Sequence, residues 1–304
     1  MQIFPLKLIP NDLNINFISL NKINYIISIL LILLSITSLI TLKLNFGIDF
    51  VGGLNLEIKV HPVPNLAKIR TNLDNSNLGK ISIQNFGNED IVLIKVSNNL
   101  KDINTTVVTD KIKNILEKDL NYKIEYRKVD FVGPQVGSHL IKSSIQAILL
   151  AFVFIMIYVW FRFEWQFSLG VLISIIHDII LSIGFISISG LDFNLSSIAA
   201  LLTIIGYSVN DSIVIYDRVR ENLKKLAHKK LQDIINISIN ETLSRTILTV
   251  LTTLLANSAL ILFGGEAIKS FSISVFIGII IGTYSSIFIS APILVLFNLK
   301  KSKQ

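Results

Sequence analysis

Apolar residues run unbroken by charge over positions 23–42, INYIISILLILLSITSLITL. About 20 residues of helix at 1.5 Å each match a hydrocarbon core about 30 Å thick. The stretch is too long for a signal-peptide core and has no small-residue cleavage site, so it reads as a retained membrane anchor. Further apolar runs predict spans at 141–161, 167–189, 195–216, 243–263 and 271–297, six in all.

Residues 44–138 have a different pattern. Strands are predicted at 54–60, 80–86, 91–96 and 122–129 and helices at 64–73 and 103–120, with a turn at Gly87-Asn88. Val107, Val108, Ile112, Ile115 and Leu116 recur at helical spacing and give the second helix one apolar face. The order βαββαβ predicts two helices on one face of a four-stranded antiparallel sheet, a ferredoxin-like α+β domain. The expected fold is therefore a polytopic α-helical membrane protein carrying that domain. Its parts are an N-terminal segment (1–22), the first transmembrane helix (23–43), the α+β domain (44–138), five more transmembrane helices (139–299) and a tail (300–304).

A ferredoxin-like fold carries no function by itself. Residues 44–138 contain no glycine-rich phosphate loop, no nucleophile with its base and no convincing carboxylate pair, so a binding or lever role is expected over an enzymatic one. RNA-binding modules of this topology stack bases on sheet aromatics, which are lacking here, and no nucleic-acid partner is expected.

Composition agrees with a membrane protein: 51% of the 304 residues are hydrophobic and 16% charged, against about a quarter charged in soluble domains. The chain has no cysteine and four scattered histidines, so no disulfide, thiolate, metal or cofactor site is expected. The net charge of +7 is placed unevenly. Arg218, Arg220, Lys224, Lys225, Lys229 and Lys230 crowd the loop between spans four and five, and Lys300, Lys301 and Lys303 close the chain. Basic residues mark the cytoplasmic side, so both termini are expected there and residues 44–138 outside. The outer turns 189–194 and 263–269 hold only Lys269, and Trp160 and Trp165 flank an inner turn as interface anchors.

Ser270, Ser274, Gly278, Gly282, Ser286 and Ser290 recur every fourth residue of the last span, a packing ridge that lets another helix approach closely. Ser143, Ala147 and Ala151 repeat the device more weakly, as do Ser174 and Ser182 around Asp178. Gly52 and Gly53, where the chain leaves the first span, are hinge candidates.

Ionisable side chains inside spans cost about 2.5–3.5 kcal/mol each at the centre unless paired, hydrated or neutralised. Asp211 lies in IGYSVNDSIVIYDRVREN (205–222), Arg245 near the start of span five, and His177-Asp178 within span three. Asp211 and Arg245 are expected at similar shallow depth on neighbouring antiparallel helices, where they can meet. Two readings stay open: a static salt bridge, or an acid poised to take and release a proton. Asn210 adjoins Asp211, Tyr207 and Ser208 lie one turn away, and Thr249, Thr252 and Ala256 continue the Arg245 face as a polar and small stripe for protons or water. Threonine often bonds back to its own helix, so no single hydroxyl is informative. His177 and Asp178 point about 100° apart, so at most one of them should face any given partner. Asp178 ranks second, as relay or structural group, and is expected about two turns deeper than Asp211. An intramembrane aspartyl protease needs two carboxylates sharing a proton at close range; that depth and the absence of a GxGD loop disfavour it.

Beyond these readings, several motifs occur in order with matching spacing: NFGIDFVGG (45–53), VGPQVG (132–137), FRFEW (161–165), IIHD ending at Asp178, residues 205–222, SRTILTVLTTL (244–254), then FGG and GTYSS. Together they resemble the SecF family of the bacterial protein-translocation machinery, itself similar to proton-driven RND exporters. The resemblance implies a six-span inner-membrane subunit that works with SecD beside the SecYEG channel and uses the proton gradient to promote export of a translocating polypeptide, without a cofactor. In that family the aspartate of the ND pair and the arginine of the SRT motif are associated with proton transport, and they fall on Asp211 and Arg245. RND-like exporters resemble two six-span halves; no repeat relates the first three spans to the last three, so this chain reads as one half. The rivals are half of a small-molecule exporter, favoured by a wide apolar cavity in the α+β domain, and a structural assembly subunit without proton transport.

Overall fold

The computed structural model describes residues 14–76, 78, 80–97 and 105–297; Lys300, Lys301 and Lys303 lie outside them. After a 3-10 turn at Ile18–Leu20, the elements begin with α1 (Asn21–Thr41), β1 (Asn45–Phe46), α2 (Ile48–Val51), β2 (Gly53–His61), α3 (Leu66–Asp74), β3 (Lys80–Phe86) and β4 (Asn88–Ser97). Then come α4 (Thr105–Asn114) with a π turn at Ile115–Asp119, β5 (Lys123–Val132), α5 (Pro134–Arg162), α6 (Trp165–Ser189), β6 (Asp192–Phe193), α7 (Leu195–Lys225) and α8 (Leu231–Phe263). The chain closes with α9 (Glu266–Ser285), a π turn at Ser286–Ser290 and α10 (Ala291–Leu296).

From β2 to β5 the order is βαββαβ, and the strands lie β3-β4-β2-β5, each pair antiparallel. Period-two alternation places Leu54, Leu56, Ile58 and Val60 of β2 on one face with Val92, Ile94 and Val96 of β4. Ile69 and Leu73 of α3 and Val108 and Ile112 of α4 cover that face, and all of these side chains are buried. The other face, with Asn55, Glu57 and Lys95, is open. The first helix starts at Leu66 because Asn65 caps it, accepting from the amides of Ala67 and Lys68. The helix expected over 103–120 is described from Thr105 and loosens into the π turn at Ile115; positions 103 and 104 fall outside the described residues.

Among the described residues, six helices are long and apolar enough to cross a membrane. Helices α6, α7 and α9–α10 form the middle of the bundle, while α1, α5 and α8 present exposed apolar side chains such as Leu30, Phe154 and Leu255 on its outside. The segment expected as a basic loop between spans four and five is largely helix: α7 runs on to Lys225 and α8 starts at Leu231, well before position 243. Ion pairs spaced to follow the helix sustain it. Arg218 reaches Glu221 at 2.5 Å and Glu241 at 2.7 Å, and Lys225 reaches Glu221 at 2.5 Å.

The small residues of α9 and its π turn lie along α7, whose facing positions Ile204, Ser208, Ser212 and Tyr216 are also spaced by four. A Cβ on Gly278 would lie 2.1 Å from the Ile204 side chain, and one on Gly282 would lie 3.0 Å from Ser208 Cβ. Further along, Ser212 donates to Ser286 Oγ at 3.1 Å, and Tyr216 Oη and Ser290 Oγ are 2.6 Å apart. Ser274 bonds back to the carbonyl of Ser270. Gly184 of α6 similarly seats α1, its absent Cβ leaving room for Ser35.

Candidate functional site

Asp178 of α6 is fully buried where α6, α7 and α9 meet. Its Oδ2 accepts from Ser208 Oγ at 2.6 Å and Ser285 Oγ at 2.8 Å, and Ser174 donates to Ser285 at 2.9 Å. Its Oδ1 lies 3.0 Å from His177 Nδ1. Asp178 alone faces Ser208 and Ser285, while His177 lies beside the Tyr284 ring, and the two consecutive side chains also bond to each other across the 100° between their Cα–Cβ directions. The predicted depth is corrected. Asp178 is level with Ser208, three residues from Asp211, a separation of about 4.5 Å along the helix rather than two turns.

Asp211 is 6% exposed. Its Oδ1 accepts from Thr246 Oγ1 at 2.8 Å; its Oδ2 is buried with no hydrogen-bond partner among the described residues. Asp178 and Asp211 are thus engaged by different partners, with no hydrogen bond between them among the described residues.

Asp211 and Arg245 are close enough for the arginine's charge to act on the acid, but they do not close into a contact: among the described residues no ion pair within 4.0 Å joins Arg245 to an acid, and Arg245 is exposed. One residue along a helix rotates a side chain by about 100°, so the phase that turns Thr246 inward turns Arg245 to the flank of the bundle. Thr249 and Thr252 share that exposed flank, bonding back to the carbonyls of Arg245 at 2.9 Å and Leu248 at 3.0 Å. On α7, Asn210 and Gly206 are exposed, a Cβ on Gly206 would meet nothing within 4 Å, and the half-buried Tyr207 hydroxyl has no partner among the described residues. Ser208 serves Asp178 rather than Asp211.

Sequence reasoning missed Thr246, and it missed a group at the other end of α7. Asp49 Oδ2 accepts from the Leu195 amide at 3.0 Å, in the first turn of α7. Asp192 accepts from Asn45 Nδ2 at 2.7 Å through Oδ1 and pairs with Lys95 of β4 through Oδ2. The signal for Asp49 was present in NFGIDFVGG, where an acid follows a strand and precedes two glycines. Gly52 and Gly53 have φ of 75° and 140°, conformations that favour glycine, between α2 and β2. Among the described residues no group of three His, Cys, Asp or Glu could hold a metal ion.

Two family models match the chain: protein export membrane protein SecD/SecF, C-terminal, over residues 111–300, and the SecD/SecF GG motif over residues 37–62, which contains Gly52 and Gly53. Over 301 residues the chain is 56% identical to the protein translocase subunit SecF of Rickettsia rickettsii (strain Sheila Smith), covering 99% of this chain and 97% of that protein. The chain belongs to the SecF family. The same subunit of Rickettsia bellii (strain OSU 85-389) is also 56% identical, with 99% of each protein covered. Among solved structures, that of SecDF from Thermus thermophilus, a translocon-associated membrane protein, is similar with a TM-score of 0.85 and 32% identity over 96% of this chain. SecDF in a super-membrane-facing form is similar with a TM-score of 0.70 and 33% identity. The SecF-family chain spans 40% of the length of each SecDF chain. It is a multi-pass inner-membrane protein that serves protein export, a transport component rather than an enzyme.

Proposed function

We propose that this chain, together with SecD and the SecYEG channel, uses the proton gradient to promote export of polypeptides, with Asp211 as the group that takes and releases the proton. The observation that carries the reading is the Oδ2 atom of Asp211, buried between helices without a donor while Oδ1 is held by Thr246. A buried carboxylate oxygen without a donor is unfavourable, and either a proton or a movement that brings in a donor relieves it. One proton crossing 100 mV releases about 2.3 kcal/mol, enough to bias two arrangements that differ by a few kcal/mol. Arg245 is the cation that biases this exchange as α7 and α8 move. Asp178, tied by serines to α7 and α9, relays or anchors that movement.

Exposed Arg245, Thr249 and Thr252 on α8 beside Asn210 on α7 support the need for a second membrane protein. An arginine facing acyl chains costs about 2.5–3.5 kcal/mol at mid-bilayer, and a partner half of similar size covers it. SecD is that half in this proposal. In this proposal both termini are cytoplasmic and the α+β unit lies outside, where it contacts the emerging polypeptide; the basic residues at one end of α7 and α8 support that orientation. The division into residues 1–22, 23–43, 44–138, 139–299 and 300–304 belongs to the same proposal.

The small-molecule rival asks for a wide apolar cavity in the α+β unit. The cleft of about 620 Å³ beneath its sheet is instead lined by Glu57, Lys95, Lys128, Asp130 and Asp192 among others, which favours polypeptide export. The test is gradient-dependent stimulation of export in membranes containing SecD and SecYEG. Asp211→Asn or Arg245→Met is expected to abolish it while the protein still inserts and binds SecD. Normal stimulation in either variant rejects the proton relay at this site and favours a structural subunit.

A further inference from the structure

The end of the sheet nearest the helical bundle is tied to it in two ways that differ in kind: by the chain connections, and by an ion pair from Lys95, whose register partner Asn55 lies two residues from Gly53. Both chain connections cross side by side. β2 starts at Gly53 and β5 ends at Val132, and these residues are direct register partners. Gly52 and Gly53, both at positive φ, lead into one strand, and Gly133 leads out of the other into α5. A swing of the sheet about this end bends the chain where glycine makes bending cheap.

The bundle side of these connections is a rigid block. β1 pairs in parallel with β6, Asp49 accepts from the first turn of α7, and Asn194 caps α7 in a reciprocal box with Ser197. Packing there has no slack: a Cβ on Gly47 would lie 2.9 Å from Asn194 Cβ, and one on Gly137 of α5 would lie 2.7 Å from the Phe50 carbonyl oxygen. The block therefore moves with α7, the helix that carries Asp211.

The second tie is made by Lys95 on the open face of β4, which reaches across the cleft of about 620 Å³ to Asp192 of that block. The side chains are 14% and 25% exposed, so salt screens the attraction less than it would on an open surface. Asn45 holds the other oxygen of Asp192, and the Asp192 carbonyl accepts from Ser197 in the first turn of α7 at 2.9 Å. The acid is thus fixed to the bundle, and the lysine is the arm on the swinging side.

We infer that the Lys95–Asp192 pair is a releasable clasp that holds the sheet over this cleft, with Gly52–Gly53 as its pivot, and that its opening is the α+β unit's step in export. The inference rests on the proposed function, since it gives the proton-driven movement of α7 a mechanical output. Lys95 and Asp192 are positioning residues in this scheme; neither exchanges the proton.

The chain has no cysteine, so the double variant Lys95→Cys/Asp192→Cys can be bridged selectively with a short bismaleimide in membranes that also contain SecD and SecYEG, with each single variant as a reagent control. Bridging is expected to lower gradient-dependent export at least tenfold and to leave gradient-independent export unchanged. Charge reversal at Lys95→Asp should lower coupling several-fold, and the exchanged pair Lys95→Asp/Asp192→Lys should restore most of it, which ties the effect to this pair; bridging then separates a clasp that must open from a static staple, which a bridge would leave active. A bridged protein that exports normally overturns the clasp, as does failure of the two cysteines to bridge. Loss of export on bridging alongside normal export by Asp211→Asn would instead retain the clasp and overturn the proton reading.

Discussion

Thr246 donates its hydroxyl to Asp211 at 2.8 Å, whereas Arg245, its neighbour in sequence, lies on the exposed flank of the same helix. The acid therefore has a neutral partner inside the bundle and a cation one residue away on its surface. Bringing Arg245 to where Thr246 stands takes a turn of α8 of up to about 100° or a reach by the long arginine side chain alone.

Thr246→Val keeps the shape of the side chain and removes the donor, leaving both oxygens of Asp211 unpartnered. A hydrogen bond to a charged group contributes about 1.5–3 kcal/mol. Gradient-dependent export in reconstituted membranes should fall roughly tenfold or more on that scale, and Thr246→Ser should retain most of it.

Asp178 and Asp211 should separate in a stability measurement. Asp178→Ala strands the hydroxyl of Ser208 and Nδ1 of His177 in a buried site, while Ser285 keeps the Gly282 carbonyl and Ser174, at about 1–3 kcal/mol for each unsatisfied group. Thermal unfolding in detergent should show a large loss for Asp178→Ala and little change for Asp211→Asn. Equal losses in the two variants would count against treating Asp211 as the movable group.

Gly278 is the tightest point of the α7–α9 contact. Gly278→Ala places a methyl 2.1 Å from the Ile204 side chain, and overpacking of this kind costs about 1–3 kcal/mol. Reduced yield and a lower unfolding temperature are expected, with partial recovery on adding Ile204→Ala, which reopens the space.

Tyr126 of the α+β unit donates to the Thr109 carbonyl at 3.2 Å, and its pKa is pushed up to about 12, first by burial and then by Glu117 and Asp110. A group that holds its proton more tightly in the folded state contributes stability below its unfolded pKa and loses it as pH rises through the folded one. The contribution is complete below about pH 10 and disappears towards pH 12. Denaturation followed by circular dichroism from pH 9 to pH 12 should show that loss in the wild type and a smaller one in Tyr126→Phe.

What was legible in the sequence follows from what each pattern constrains. An apolar run of span length broken by at most one charge has few alternatives, so the six spans could be read directly. Alternation in 54–60 leaves one choice of buried face for that strand, whereas 91–96 is almost continuously apolar and takes its face from pairing with 54–59. The ridge from Ser270 to Ser290 identified its own packing face, and only the matching spacing of Ile204, Ser208, Ser212 and Tyr216 was overlooked. The partner of Asp211 was not legible. Choosing between Arg245 and Thr246 requires the rotation of α8, and the many Ile and Leu around its circumference define no single buried face. The basic segment after Tyr216 looked like a loop because charge was taken to end the span, whereas the pairs of Arg218 and Lys225 with Glu221 carry the helix into water. Lys95 and Asp192, nearly a hundred residues apart and each unremarkable locally, meet only once the sheet is set above α7.

The most direct measurement is proton flux through vesicles containing this chain with SecD, driven by an imposed gradient and read with an internal pH dye. Wild-type vesicles should acidify in step with export, and Asp211→Asn vesicles should fall to the rate of protein-free lipid. Unchanged flux in Asp211→Asn would contradict Asp211 as the proton-carrying group.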